Sequence, residues 1–111
     1  MTTAILAVDQ GTTNSKAVLV STDGAILSRG SSPVGIEHPQ PGWVEQDPLR
    51  IWASVQEAIT ACLQAGPQVE ILGIAISNQR ESVTVWDAET GAPLGPVVSW
   101  QCRRSAPACA E

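Results

Sequence analysis

An acidic residue closes a short apolar run and is followed by a glycine and two threonines; this is where chemistry first becomes legible in the sequence. The run is Ala4 to Val8, Asp9 ends it, and Gln10-Gly11-Thr12-Thr13-Asn14 has turn composition. Gly11 lets a ligand approach the backbone and permits an unusual φ. Successive N–H groups in such a turn converge on phosphate oxygens as an anion nest, and Thr12 and Thr13 add hydroxyl donors. Asp9 can hold a hydrated Mg²⁺ that neutralises phosphate charge, and Lys16, if it faces the turn, adds a mobile cation. The same residues also read as a plain hairpin turn whose Thr and Asn side chains satisfy their own backbone, and the turn alone leaves both readings open. It is not a Walker A loop, because the G-x-x-x-x-G-K spacing is absent.

The elements that must position this turn follow from pattern. Ala4 to Val8 reads as a central buried strand, Lys16 to Val20 as the next strand, and Ser21-Thr22-Asp23-Gly24 as a hairpin turn into a third strand, Ala25 to Arg29. Three such strands in sequence form a meander. Ser31 to Asp47 carries three prolines and two glycines and reads as a surface loop without helix or long strand. Asp47-Pro48 starts a helix, with Asp as N-cap and Pro at the first helical position, and Gly66-Pro67 stops it. Trp52, Val55, Ile59, Cys62 and Leu63 fall on one face of that helix, which is the expected buried face. Ile71 to Ile76 reads as another buried strand, and Val83-Thr84-Val85-Trp86 as alternating β structure. Asp87 to Pro93 forms a turn round Thr90-Gly91, Val97-Val98 a short strand, and the polar stretch from Cys102 a helix, with no capping signal before Glu111. Strands, helix and strand in this order give an α/β arrangement with a mixed sheet.

Composition excludes several classes. Hydrophobic residues make up 43% and charged residues 15% of the 111 residues, an ordinary globular mixture for about one small domain. The net charge is −5 and the six Lys and Arg residues form no run, which argues against nucleic-acid binding. No apolar stretch is long enough for a membrane span, and the start lacks the basic region of a signal peptide, so a cytoplasmic location is expected. Cys62, Cys102 and Cys109 suit a reducing compartment and read as plain thiols rather than metal ligands. Phe and Tyr are absent; Trp43, Trp52 and Trp86 are assigned to packing, and His38, before a proline, to a loop.

The string Val8-Asp9-Gln10-Gly11-Thr12-Thr13-Asn14-Ser15-Lys16-Ala17-Val18-Leu19 resembles the first phosphate motif of the FGGY carbohydrate kinases. Such a turn also fits actin-like filament proteins and heat-shock chaperone ATPases, and three segments nearer the C-terminus separate these possibilities. His38-Pro39-Gln40-Pro41-Gly42-Trp43-Val44-Glu45-Gln46-Asp47-Pro48 resembles the loop and helix start of FGGY kinases. Ser77-Asn78-Gln79-Arg80-Glu81 resembles the substrate-contacting N-Q-R-E of the family's glycerol kinases, and Ser99-Trp100-Gln101-Cys102-Arg103-Arg104 their W-Q-C-R-R segment. Asn14 and Lys16 stand where many of those kinases have Ser and Arg, and Ser82-Val83 where Thr residues are common.

The resemblance implies an α/β actin-like ATPase (ribonuclease-H-like) fold with a mixed sheet. Residues 1–111 would be the N-terminal part of the first domain, with the rest of it and a second domain outside them. It implies ATP and Mg²⁺ as cofactors: Gly11, Thr12, Thr13, Asn14 and Lys16 on the ATP phosphates, Asp9 on Mg²⁺ through water, and Arg80, Glu81 and Trp100 on the substrate. The chemistry suits a diol. A guanidinium fork addresses two adjacent oxygens, a carboxylate accepts hydroxyl protons, and an indole walls the carbon face. The mutual attraction of Arg80 and Glu81 would make both charges tolerable in a cleft. Taken singly, an Arg-Glu pair after a strand reads as solvated surface and a Trp as core; their joint placement in family order favours the site.

The general-base Asp of the family lies further along its chain, and none of Asp23, Asp47 or Asp87 stands in a matching context. The catalytic residue is therefore expected beyond Glu111, and these 111 residues alone are expected to be inactive. The expected reaction of the intact protein is transfer of phosphate from ATP to a small-molecule polyol or sugar, glycerol first. A ketose such as xylulose, or another polyol, is the alternative within the family. A non-catalytic actin-like nucleotide-binding module is the alternative of another class, and it leaves Arg80-Glu81 and the Trp100 segment unexplained. A homo-oligomer is expected for the intact protein.

Overall fold

Small residues on one face of a meander allow a helix to settle close onto it. The structure, a computed structural model, describes residues 1–110, so Glu111 and the uncapped end expected there lie outside it. Strands β1 (Thr3–Gln10), β2 (Asn14–Ser21) and β3 (Ile26–Pro33) are antiparallel neighbours. The turn between β2 and β3 is the expected one: the Gly24 N–H donates to the Ser21 carbonyl at 2.9 Å and Gly24 has φ 94°. Alternation sends Ala4, Leu6 and Val8 of β1, with Ala17 and Leu19 of β2, to a single face, where they are buried. Asp9 does not end its strand, since β1 runs on to Gln10. Pro33 closes β3, which lies at the sheet edge, where a missing N–H is tolerated.

Helix α1 (Pro48–Ala65) covers that face. Its start is as expected: Asp47 Oδ1 accepts the Leu49 N–H at 2.9 Å, a cap worth about 1 kcal/mol. Its buried stripe is as expected at Val55, Ile59 and Cys62 but not at Trp52 and Leu63. Ser54, Ala58 and Cys62 face the sheet with Val55 and Ile59 beside them, whereas Trp52 and Leu63 are exposed. The reason lies in β3, where a Cβ on Gly30 would stand 2.3 Å from the Ala58 carbonyl oxygen and 2.5 Å from the Cys62 nitrogen. At that separation only small side chains fit the line of contact, so volume overrides hydrophobicity in choosing the face.

After α1 the chain returns as β5 (Glu70–Asn78), parallel to β1, giving a mixed four-stranded sheet of order β3-β2-β1-β5. The buried strand expected at Ile71 to Ile76 forms, but Leu72, Ile74 and Ile76 are exposed, because α1 packs over β2 and β3 and no other described element covers β5. The loop expected over Ser31 to Asp47 gives up Ser31 to Pro33 to β3 and contains a short strand of its own. Strand β4 (Glu45–Gln46) pairs with β6 (Val97–Val98), Gln46 opposite Val97, and so ties the loop to the segment that leads to Trp100. Val83 to Trp86 is a loop held by single bridges to Val98 and Pro93, and Trp86 is exposed rather than packed. The turn at Asp87 to Pro93 is as expected: Asp87 Oδ1 accepts the N–H groups of Glu89 and Thr90, and Gly91 has φ 76°. A four-residue helix, α2 (Ala106–Cys109), comes next. The three cysteines are free thiols, and no helix among the described residues is long and apolar enough to cross a membrane.

Candidate functional site

The turn after β1 is held from behind and open in front. The Gly11 N–H donates to the Asn14 carbonyl at 3.0 Å, so this amide is committed to the hairpin and is not a free member of an anion nest. A Cβ at Gly11 would stand 2.8 Å from the same oxygen while its φ lies outside the left-handed region; close approach, not an unusual φ, requires glycine here. The Thr12 carbonyl accepts from Gln46 Nε2 at 2.7 Å and the Thr13 carbonyl from the Val34 N–H at 2.9 Å. With the carbonyls engaged, the N–H groups of Thr12 and Thr13 make no backbone hydrogen bond among the described residues. Ser15, just beyond, is buried and pairs with Ser54 Oγ at 2.7 Å, which locks the start of β2 to α1.

The candidate residues separate into two neighbouring depressions. Asp9 and Lys16 are opposite each other in the β1–β2 register and project from the sheet face away from α1. They line a hollow of about 320 Å³ with Val18 and Ile76. A second pocket, of about 390 Å³, is lined by Thr12, Asn78, Gln79, Arg80, Glu81 and Trp100. Gly11 and Thr13 of the turn and Asn14 at the start of β2 line neither; Lys16 therefore accompanies Asp9 rather than the pocket of Thr12.

Within the second pocket the Trp100 indole N–H donates to Thr12 Oγ1 at 2.8 Å, across 88 residues of sequence. Because Thr12 accepts, its own hydroxyl proton remains available to an incoming oxygen. Arg80 and Glu81 form no ion pair with each other; the ion pairs among the described residues are Arg50–Glu57 and Arg104–Glu45. The expected mutual attraction is thus not made, and both charges are free to meet a ligand. Glu81 has φ 66°, the one positive φ of a non-glycine residue among those described, a strained conformation that recurs at binding sites.

Several residues at the site were not singled out from the sequence. Gln46, buried in β4, bonds Thr12, Gly35 and Gln79, and Ser82 Oγ bonds Gln79 Oε1 at 2.9 Å. Gln46 and Gln79 stand inside two of the motif strings, but nothing in the sequence gives either glutamine a role of its own. Arg104 stacks on Trp43 at 3.9 Å from the ring centre, meets Glu45 at 2.5 Å and donates from Nε to Cys102 Sγ at 3.0 Å. Burial pushes the Cys102 thiol up, but hydrogen bonds from the Val44 backbone and from Arg104 outweigh it and hold the thiol below its ordinary value.

No group of three or more His, Cys, Asp or Glu among the described residues is arranged around a metal. Asp9 is a single exposed carboxylate. That donor set fits a cation such as Mg²⁺, which keeps most of its water and takes further ligands from phosphate, and does not fit a cation caged by protein.

A mixed sheet, a glycine-threonine turn after its first strand and a pocket of Thr12, Arg80, Glu81 and Trp100 define the α/β unit that is compared with known proteins. Residues 4–111 match the N-terminal domain of the FGGY family of carbohydrate kinases. The chain is 48% identical over 108 residues to an apulose kinase of Pectobacterium atrosepticum, and 47% identical over 109 residues to a glycerol kinase of Symbiobacterium thermophilum. These alignments cover 97% and 96% of this chain and 22% of each relative. The crystal structure of Plasmodium falciparum glycerol kinase with ADP matches with a TM-score of 0.89 at 28% identity, covering 98% of this chain and 22% of that one. The fold is the actin-like α/β fold that the motifs implied. The chain belongs to the FGGY family of carbohydrate kinases.

Proposed function

We propose that the intact protein transfers the γ-phosphate of ATP to a hydroxyl of a small polyol or sugar, with glycerol as the acceptor. One observation carries this reading: Thr12 of the turn shares a pocket with Arg80, Glu81 and Trp100, so groups suited to phosphate and groups suited to a diol adjoin. The N–H groups of Thr12 and Thr13 and the Thr12 hydroxyl donate to phosphate oxygens. Asp9 would hold Mg²⁺ through water, and the ion supplies neutralisation of phosphate charge when bound. The Arg80 fork addresses two vicinal hydroxyls, Glu81 accepts hydrogen bonds from them, and Trp100 walls the carbon face.

No Asp lines the pocket, and the general base is assigned to a carboxylate outside these residues. The chain spans 22% of the length of these two relatives; residues 1–111 are assigned to the first part of the first domain and are expected to have no kinase activity of their own. Closure against a further domain would exclude water, which otherwise competes for the phosphoryl group.

In the full-length protein, Arg80→Ala should raise KM for glycerol by about ten- to a hundredfold, with KM for ATP little changed, in an assay of ADP release. Unchanged KM and turnover for glycerol would sink the reading. The 48% identity to an apulose kinase favours a second reading with a ketose as acceptor. A panel of polyols and ketoses separates the two by kcat/KM.

A further inference from the structure

We infer that Gln46 is a positioning residue that keeps the phosphate turn and the acceptor pocket in register, an inference that rests on the kinase reading. Gln46 is 1% exposed and lies in a two-residue strand just before the Asp47 cap of α1, and a glutamine so fully buried is uncommon. Both ends of its amide are engaged. Nε2 donates to the Thr12 carbonyl at 2.7 Å and the Gly35 carbonyl at 3.2 Å, and Oε1 accepts from Gln79 Nε2 at 3.0 Å. From there the bonds continue: Ser82 Oγ donates to Gln79 Oε1 at 2.9 Å, and the Trp100 backbone N–H donates to Ser82 Oγ at 3.1 Å. The Trp100 indole N–H then returns to Thr12 Oγ1 at 2.8 Å.

The bonds therefore close a ring that starts and ends on Thr12 and passes through Gln46, Gln79, Ser82 and Trp100. Arg80 and Glu81 stand between two of its members, Gln79 and Ser82. A positive φ at Glu81 persists only where its surroundings hold it, and this ring supplies them. The pairing of Gln46 with Val97 ties the same strand to the approach to Trp100. Only an amide can donate twice and accept at one position of this length. Leucine would leave the Thr12 carbonyl and a Gln79 donor unpaired, and glutamate would set a carboxylate against two carbonyls.

The test uses the full-length protein and compares Gln46→Leu, Arg80→Ala and their combination, with Cys62→Ala, a core change at the far end of α1, as a control for stability alone. Gln46→Leu should lower kcat/KM for the acceptor about tenfold and raise KM for ATP as well, whereas Cys62→Ala shifts the unfolding midpoint and leaves both KM values in place. Arg80→Ala should cost clearly less in the Gln46→Leu background than in the wild type, because the arginine is already displaced. Wild-type KM and kcat in Gln46→Leu, or losses that multiply as independent factors, would overturn the inference while leaving the kinase reading intact. Acceptor kinetics untouched by Arg80→Ala would overturn both. Should Gln46→Leu not fold, Gln79→Leu breaks the ring at the next bond and is judged by the same outcomes.

Discussion

The half of the molecule made of β1, β2, β3 and α1 and the half from β5 onward are held by different forces. In the first, Ala4, Leu6, Val8, Ala17, Leu19, Ala58 and Cys62 form a dry core, and the helix lies so close that Gly30 has no room for a side chain. In the second, Leu72, Ile74, Ile76, Val85 and Trp86 are exposed, and the segments are fastened by side-chain hydrogen bonds from Gln46, Gln79, Ser82 and Arg104. The candidate site lies on the seam, with Thr12 from the first half and Arg80, Glu81 and Trp100 from the second. Apolar packing is non-directional and fills volume, whereas a hydrogen bond fixes distance and angle. The packed half is thus a platform, and the bonded half does the aiming.

That contrast can be broken at three places. Leu19→Ala, in the middle of the dry core, should cost about 2–5 kcal/mol, read as the shift in urea midpoint of the full-length protein. A loss much below that would mean the core is not what holds the platform. Gly30→Ala should cost about 1–3 kcal/mol, because α1 must lift off the sheet to admit the methyl group. The smallest effect belongs to the bonded half. Arg104→Ala should barely move the urea midpoint, yet the pH at which iodoacetamide alkylates Cys102 should rise, since a guanidinium that favours the thiolate is gone. Peptide mass spectrometry, with Cys109 as the internal reference, reads that shift.

Legibility in the sequence followed the range of the interaction. The meander, the turn at Gly24, the cap at Asp47 and the turn at Asp87 depend on neighbours in sequence, and each was readable. The buried face of α1 was readable only at Val55, Ile59 and Cys62, because Gly30 of another strand decides which side chains fit beneath the helix. Burial of β5 was misread for a related reason: an apolar run states a preference for burial, and whether anything covers it depends on which other elements are present. At the site, Asp9, the turn, Arg80-Glu81 and Trp100 were visible as motifs, while the bonds of Gln46 and Ser82 were not.

By its sequence alone, this protein determined the order of its elements, its family and the residue types proposed to meet phosphate and diol, because these rest on local pattern and on motif strings. The tertiary structure alone decided that Thr12 and Trp100, 88 residues apart, share a hydrogen bond, that Asp9 and Lys16 form a separate hollow, and that a ring of amides and hydroxyls braces the pocket. These contacts need donor and acceptor within about 3 Å across long sequence separations, and only the folded sheet and its crossing loops bring them that close.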